Sequence, residues 1–419
     1  MSYKELFNTR QYETIITELK NKKDANIWEL FWLCKAYYKL EQYTEAKAIY
    51  AKYLQLKPED NRLLDTYLWI GYKTELSKKE DIDETKFITC ADYILANSTQ
   101  DDLYSPYIRT VFKVVDFYKA KNTTGGAEKV YEYLNKLTPD TLPTDPRVFN
   151  IKGKDKNVCS FKESWYSNYT KICLTLERFE ECIAYCEEAI RVFNFDITED
   201  SRVFFEYKKA KALIALDKVD EAKTIVEKLV AIKPTFYLKR MLGDIALTYN
   251  DINKAYFHYY DALLSRDGQL KGQVETLKQI VNLKYSDNDL VTSKLHCLLI
   301  KQLREKEGWK EDKQIAELLN ILADTEVDEN RIDKQCKKIW QEGQHNLLPS
   351  YTGVIYKLIW NNNQGFIKTD DEDIFFMLAD ILGRKDNILN SAVEFNIVNT
   401  FDKKKQQLSK KAINIKLLD

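Results

Sequence analysis

Glycine and proline are scarce in this sequence, with 12 and 7 residues among 419. Such a composition excludes a collagen-like or low-complexity chain and favours long amphipathic helices over a loop-rich β-protein. No run of 18 apolar residues occurs, so the sequence predicts no membrane-spanning helix. The first residues, Met1 to Glu5, also lack the basic-then-apolar pattern of a signal peptide, and we therefore expect a cytoplasmic protein.

Side chains that carry metal or catalytic chemistry are few and scattered. The chain has 3 histidines, and none of its 8 cysteines belongs to a C-x-x-C pair that could form a zinc or redox motif. The nucleophile elbow G-x-S-x-G, the phosphate-binding loop G-x-x-x-x-G-K-[ST] and the zinc motif H-E-x-x-H are all missing. We therefore expect no enzymatic activity, no catalytic residues, no cofactor and no metal site.

An excess of charge of either sign is also missing. The 64 basic and 65 acidic residues give a formal net charge of -1. A chain without net charge exerts no overall attraction on nucleic acid, so any such contact must come from a local patch.

A 34-residue period is present in the N-terminal part of the chain. In residues 27–60, a large residue stands at position 11 (Tyr37), small Ala46 at position 20 and Pro58 at position 32. Two helices joined by a tight turn explain this spacing, because the small residue lets the two helix backbones approach closely and proline ends the second helix.

Further copies of this pattern follow. Two of them abut, at 203–236 and from Phe236 onward, and they place Ala222 and Ala255 at position 20. Another begins at Glu163 and has Cys182 there. Weaker helical hairpins are indicated at 3–24, 61–97 and 104–137, and a loop or insertion at 138–159.

Residues 27–60 resemble a tetratricopeptide repeat over its full period. The resemblance implies an α-solenoid of helical hairpins over 1–266, followed by terminal helices and a bridge over 267–345. It also implies that the first helix of each repeat lines a concave surface. The implied partner-binding groove is lined by Trp28, Phe31, Lys35, Tyr38, Lys171, Phe204, Tyr207, Lys211, Tyr237 and Arg240. Such a groove would suit an acidic peptide or a nucleic-acid backbone, but the same aromatics could instead pack between repeats.

The pattern changes from helical to extended after Ser350. β-Branched and aromatic residues are interrupted by turn clusters at 361–363 and 370–373, and two more strand patterns lie at 392–398 and 411–418. A lysine-rich turn at Lys403–Lys405 separates the last two strands. Five short strands within 346–419 predict a small closed β-barrel.

These strands resemble a cold-shock domain, which is an oligonucleotide-binding (OB) barrel. Gly353 to Ile359 match its first strand, Gln364 to Ile367 and Ile374 to Leu378 its two ribonucleoprotein motifs, and Val393 to Phe395 and Ala412 to Ile415 its last strands. The resemblance implies that aromatic side chains stack on bases and that lysines contact phosphates. The implied contact residues are Tyr356, Lys357, Trp360, Phe366, Lys368, Phe375, Lys403, Lys404, Lys405, Lys410 and Lys411.

The sequence departs from that family at four motif positions. Lys357 replaces a tryptophan, Gln364 an aromatic, Met377 a histidine and Leu378 a phenylalanine. Two functions therefore stay open. One is a non-enzymatic adaptor that docks a protein partner on the repeats and binds single-stranded nucleic acid, RNA in preference to DNA, through the barrel. The other is a protein-interaction scaffold whose barrel no longer binds nucleic acid. Similar repeat-plus-barrel chains occur in prokaryotic conflict systems, which implies a setting in defence.

Overall fold

The structure is a computed structural model that describes residues 2–78, 80–102, 104–121, 124–151, 153–196, 199–265, 267–359, 363–383, 387–402 and 407–418. Of residues 124, 149–151, 401 and 408 it describes the backbone but not the side chain. The chain divides into two compact units, Met1–Ala189 and Ile190–Asp419.

Where the structure describes the first unit, its regular elements are helices and one β-hairpin. Strands β1 (Arg147–Ile151) and β2 (Lys154–Val158) form this antiparallel hairpin inside the segment for which the sequence predicted a loop or insertion. The helices are α1 (Tyr3–Asn8), α2 (Tyr12–Leu19), α3 (Ile27–Lys39), α4 (Tyr43–Leu56), α5 (Leu64–Gly71), α6 (Glu84–Ala96), α7 (Tyr107–Lys121), α8 (Thr124–Leu134), α9 (Phe161–Thr175) and α10 (Phe179–Phe193), the last of which extends into the second unit.

The second unit combines helices with a C-terminal barrel. Its helices are α11 (Asp200–Ala215), α12 (Val219–Ile232), α13 (Phe236–Thr248), α14 (Ile252–Leu263), α15 (Val274–Ser286), α16 (Leu290–Lys306), α17 (Lys313–Ile321) and α18 (Ile332–Leu347). Its strands are β3 (Ser350–Ile359), β4 (Gln364–Lys368), β5 (Asp373–Met377), β6 (Ala392–Asp402) and β7 (Gln407–Leu417).

One backbone turn recurs between paired helices. Glu41, between α3 and α4, adopts a left-handed conformation with φ of 59°, and the next amide donates to the carbonyl of Tyr37. This geometry satisfies carbonyl groups at the end of the first helix. The same turn stands at Arg10, Glu41, Glu177, Asp217, Asn250 and Asn288. The turn joins the two helices of the predicted hairpins at 3–24 and 27–60 and of the copies that begin at Glu163, Val203 and Phe236. The predicted solenoid of helical hairpins is confirmed, and Asn288 adds one hairpin in the stretch assigned to terminal helices.

Close helix packing explains the small residues of the repeat. Ala46, Ala222 and Ala255 are all fully buried. At Gly243 of α13 a Cβ atom would lie 2.4 Å from the ring of Tyr259 in α14, so only glycine fits beside that ring. In the hairpin α15–α16 the corresponding small residue is Ser293, which is also fully buried.

The five C-terminal strands close into a barrel in the order β3-β4-β5-β7-β6, and this confirms the predicted architecture. Strands β5 and β7 pair in parallel and all other neighbours pair antiparallel. Side chains of alternate residues fill the interior, as the pleat of a strand requires. The core consists of Ile355, Ile367, Ile374, Phe376, Ile381, Ile388, Val393, Phe395, Ala412 and Ile415.

A buried polar cluster joins the end of α18 to the barrel. Asn396 of β6 is fully buried, and its Oδ1 lies 3.0 Å from Nδ1 of His345. The same oxygen accepts a hydrogen bond of 3.1 Å from Nδ2 of Asn414. The Nδ2 of Asn396 donates to the carbonyl of Pro349 at 3.0 Å. Helix α18 and the barrel therefore form one packed structure within the second unit.

Candidate nucleic-acid interface

Two aromatic side chains stand next to each other on the outer face of the barrel. Phe366 of β4 and Phe375 of β5 are register partners, and their ring centroids are 5.9 Å apart at an interplanar angle of 66°. Both rings are half-buried. Their neighbours along the strands, Ile367, Ile374 and Phe376, point into the core. The alternation of the strands thus forces both phenylalanines outward.

A lysine flanks this pair on each side. Lys357 of β3 is the register partner of Phe366, and its Nζ lies 6.0 Å from the centroid of that ring. Lys411 of β7 is the register partner of Phe375. We call Lys357, Phe366, Phe375 and Lys411 the aromatic row. It crosses four adjacent strands and offers two apolar ring surfaces between two cationic side chains.

Glycines and a bulge shape the strands beneath the row. A Cβ atom on Gly365 would lie 2.4 Å from the ring of Phe376, and one on Gly353 would lie 2.6 Å from the carbonyl oxygen of Lys368. Between Ile355 and Lys357 the register shifts, so Tyr356 is the extra residue of a β-bulge. A bulge re-aims side chains locally. The hydroxyl of Tyr356 donates to Oδ2 of Asp373 at 2.7 Å.

Carboxylates accompany several of the predicted phosphate contacts. The ammonium of Lys410 pairs with Glu372, a bond that raises the pKa of the lysine. The Nζ of Lys411 lies 2.8 Å from Oδ2 of Asp380. Lys368 is exposed and is the register partner of Asp373. The sequence alone did not reveal these acidic partners, because they depend on which strands become neighbours.

Four residues predicted to contact nucleic acid lie outside the described part of the chain. Trp360 belongs to the connection between β3 and β4, and Lys403, Lys404 and Lys405 to the connection between β6 and β7. The remaining seven lie on β3, β4, β5 and β7.

The groove residues predicted in the first unit occupy different environments. Trp28 is 53% exposed, and the guanidinium of Arg62 stacks 4.1 Å from its ring centroid. Phe31 is buried, with the ammonium of Lys35 lying 4.7 Å from its centroid. Burial lowers the pKa of Lys35. Of this set, Trp28 is therefore the aromatic side chain best placed to meet a partner.

The other two predicted groove residues of this unit stand apart. Tyr38 packs on Tyr43 with centroids 6.1 Å apart. Lys171 borders a cavity of roughly 350 Å³ together with Lys119 and Asn168. The Nζ of Lys119 donates to Oδ1 of Asn168 at 2.8 Å. This cavity has two ammonium groups on its border.

The groove residues predicted in the second unit form one cluster on α11 and α13. Phe204 is 47% exposed and stacks on Tyr237 with centroids 5.9 Å apart. Tyr207 meets Tyr237 edge-on at 5.0 Å, and Nζ of Lys211 lies 5.8 Å from the Tyr207 centroid. Arg240 stands one helical turn from Asp244, a residue that the repeat pattern did not predict for the groove. These side chains pack together yet leave the Phe204 ring accessible.

Asp244 completes the charge pattern of that cluster. Its Oδ2 lies 3.6 Å from Nε of Arg240, and its Oδ1 accepts a hydrogen bond of 2.7 Å from the hydroxyl of Tyr259. Burial raises the pKa of this carboxyl group. The cluster on α11 and α13 therefore combines the accessible ring of Phe204 with the cations Lys211 and Arg240, and the charge of Arg240 is partly neutralised by Asp244.

Several cysteines of the helices are buried. Among the residues with a described position, no group of three or more His, Cys, Asp or Glu side chains could hold a metal ion. Burial raises the pKa of Cys34, Cys297 and Cys336 to about 12, so these thiols stay protonated. Within the same part of the chain, no helix is long and apolar enough to cross a membrane.

His296 is fully buried, and both of its ring nitrogens are engaged. Its Nδ1 lies 2.7 Å from the carbonyl oxygen of Thr292, and its Nε2 accepts a hydrogen bond of 2.8 Å from Nε1 of Trp340. Burial lowers its pKa to about 4. The neutral imidazole of His296 therefore links α16 to α18 through its hydrogen bonds, and it is not part of a surface site.

The fold and the barrel face define a repeat scaffold with an appended barrel. Residues 30–60, which comprise most of the hairpin α3–α4, match the tetratricopeptide repeat family. No curated protein matches the chain.

Several solved structures are similar to the chain. BtubC (BKLC) from P. vanneervenii is 12% identical, with a TM-score of 0.39 over 56% of this chain and 95% of that chain. The C-terminal part of a TPR repeat-containing protein from Cytophaga hutchinsonii is 13% identical, with a TM-score of 0.37 over 65% and 97%. The human IFIT1 dimer with PPP-AAAA is 15% identical, with a TM-score of 0.37 over 80% and 74%.

Proposed function

We propose that this chain is a non-enzymatic adaptor. Its barrel binds single-stranded nucleic acid, RNA in preference to DNA, and its helical repeats dock a protein partner. The observation that supports the nucleic-acid part is the aromatic row, in which Phe366 and Phe375 present adjacent rings between Lys357 and Lys411. In OB barrels the face of the second and third strands binds oligonucleotides, and β4 and β5 are the second and third strands here.

Stacking, more than charge, supplies the affinity in this proposal. Basic and acidic residues nearly balance between 350 and 419, and Lys410 and Lys411 are paired with carboxylates. Each base stacked on an aromatic side chain contributes about 1–3 kcal/mol. Among the described residues of the barrel, Lys357 and Lys368 are exposed cations on or beside the aromatic row. Two phosphate contacts from them on a single strand would give a shallow salt dependence, with a slope of about −1.4 in log affinity against log salt.

The test is the affinity of the full-length chain for a fluorescein-labelled single-stranded RNA, measured by anisotropy at two salt concentrations. The full chain is needed because His345 of α18 contacts the barrel core residue Asn396. Phe366→Ala and Phe375→Ala should each weaken binding about 5- to 100-fold. Leu389→Ala is the matched control, since Leu389 is a barrel residue that is 49% exposed and is not part of the aromatic row.

The second candidate function is a scaffold whose barrel makes only protein contacts. The pairing of Lys410 with Glu372 and of Lys411 with Asp380 favours it, because these lysines are less available to phosphates. Absence of RNA binding at low salt would establish this alternative. Equal loss of affinity in Leu389→Ala and Phe366→Ala would also count against the aromatic row. The same sequence as DNA tests the preference for RNA.

The repeats carry the protein-binding part of the proposal. The cluster of Phe204, Tyr207 and Tyr237 supplies apolar anchors, and Lys211 adds a cation beside them. Large aromatic side chains of this kind dominate the energetics of interfaces. We expect Phe204→Ala combined with Tyr237→Ala to reduce co-purification of a partner with the tagged chain, without changing RNA affinity. Unchanged co-purification would remove this cluster from the interface.

A further inference from the structure

One carboxylate stands immediately beside the aromatic row. Asp373 lies two residues before Phe375 on β5, and its register partner Lys368 lies two residues after Phe366 on β4. Residues two apart on a strand share a face, so Asp373 is on the same outer face as the two rings. A hydrogen bond of 2.7 Å from Tyr356 fixes one carboxylate oxygen, and the side chain is otherwise exposed.

Charge decides which part of a nucleotide can approach this edge of the row. Asp373 ends a run of four acidic residues that begins at Asp370, and of these Glu372 is paired with Lys410. Uncompensated carboxylates repel phosphates. A phosphate is therefore disfavoured at Asp373 itself, whereas Lys368, its register partner on β4, can still meet the backbone. A base stacked on Phe366 or Phe375 can then present its hydrogen-bonding edge to Asp373.

The four bases differ in what they offer a carboxylate. An ionised carboxylate only accepts hydrogen bonds and has about four lone-pair positions, so Asp373 can accept from a base while Tyr356 occupies one of them. Guanine presents two adjacent donors, N1–H and the exocyclic N2 amino group. Adenine and cytosine present a donor next to an acceptor, and uracil a single donor between two acceptors. An acceptor placed against a carboxylate is repelled.

We propose that Asp373, held by Tyr356, selects guanine among the bases that stack on the aromatic row. This proposal rests on the proposed function, because it needs a base on Phe366 or Phe375. Guanine donates N1–H and N2–H to the two oxygens of Asp373, and no other base presents two adjacent donors to these oxygens. The barrel therefore binds guanine-containing single-stranded RNA in preference to uridine-only RNA.

The test compares three labelled RNA octamers that differ at one central position within a uridine sequence. The central residue is guanosine, inosine or uridine, and inosine differs from guanosine only by the missing 2-amino group. With the full-length chain we expect guanosine to bind about 10-fold more tightly than inosine, because a hydrogen bond to a charged group is lost. Asp373→Asn should remove this difference, and Tyr356→Phe should reduce it.

Asp371→Asn is the matched control, since Asp371 is an exposed carboxylate of the same turn. Loss of the guanosine preference in Asp373→Asn but not in Asp371→Asn supports the proposal. Equal binding of all three octamers by a chain that still loses affinity in Phe366→Ala overturns base selection and leaves the proposed function intact. A guanosine preference that persists in Asp373→Asn also overturns it. Failure of every octamer to bind overturns both.

Discussion

Replacing Asn396 by alanine tests the buried cluster that joins α18 to the barrel. Asn396 is fully buried and lies where the register of β6 with β7 shifts, between Glu394 and Asn396. Its amide oxygen contacts His345 and Asn414, and its amide nitrogen donates to the carbonyls of Leu348 and Pro349 at 3.3 and 3.0 Å. Replacement by alanine removes all of these hydrogen bonds at once and leaves the partner groups in place.

The size of the effect follows from the groups left behind. Nδ1 of His345 and Nδ2 of Asn414 belong to side chains that are 9% and 6% exposed, so neither nitrogen regains water readily. Each buried polar group without a partner costs about 1–3 kcal/mol. We therefore expect Asn396→Ala to lower the free energy of unfolding of the second unit by about 3–5 kcal/mol, with the lost amide bonds included.

The assay is urea unfolding combined with hydrogen exchange of peptides from α18 and β6. Loss of protection should appear in both elements together, because one side chain joins them. Asn399→Ala is the control, since Asn399 is an exposed residue of the same strand. A change below about 1 kcal/mol, or equal changes in the two variants, would refute the reasoning because a buried group without a partner costs more.

Four further predictions each concern a single residue. His296 is neutral in the fold, because burial lowers its pKa to about 4 from an ordinary 6.5. Its contribution to the free energy of unfolding is therefore complete above pH 6.5 and is lost as the pH falls towards 4. Between about pH 7.5 and pH 5, the free energy of unfolding of the wild type, measured with urea, should fall by about 2 kcal/mol more than that of His296→Gln. Parallel plots of unfolding free energy against pH for the two proteins would contradict this. Gly243→Ala should lower the free energy of unfolding by about 1–3 kcal/mol, because the added Cβ would clash with the ring of Tyr259. Gly125→Ala, with no atom within 4 Å, should stabilise by about 0.5–1 kcal/mol in the same assay. Glu372→Gln frees Lys410 and should tighten RNA binding about 2- to 3-fold in the anisotropy assay, an effect that high salt should abolish.

Much of the fold could be predicted because its signals are local. Ala46, Ala222 and Ala255 mark the close approach of two helices, and each is fully buried. The hairpin α15–α16 escaped detection because Ser293 stands where those repeats have alanine. A serine there satisfies the same steric condition, and its hydroxyl donates to the carbonyl of Val281 at 3.3 Å. Pattern matching on residue type misses such a substitution.

The candidate site was predicted in part. The resemblance to a cold-shock domain implied Phe366 and Phe375 as contact residues, and the alternation of β4 and β5 in the structure places both on one outer face. Asp373 was predicted only as part of the turn cluster at 370–373, because the sequence does not show that a bulge at Tyr356 brings its hydroxyl to that carboxylate. The environment of Lys410 on β7 was missed for the same reason, since its partner Glu372 lies in the connection between β4 and β5.

The sequence by itself determined most of the paired helices and the five short C-terminal strands, but not the hairpin of β1 and β2. Helix and strand periods, proline stops and small-residue positions act over a few residues, so they can be read without knowing the fold. Only the tertiary structure decided that Lys357, Phe366, Phe375 and Lys411 form one row, and that His345 meets Asn396. Such contacts depend on strand register and chain closure, which join residues far apart in sequence.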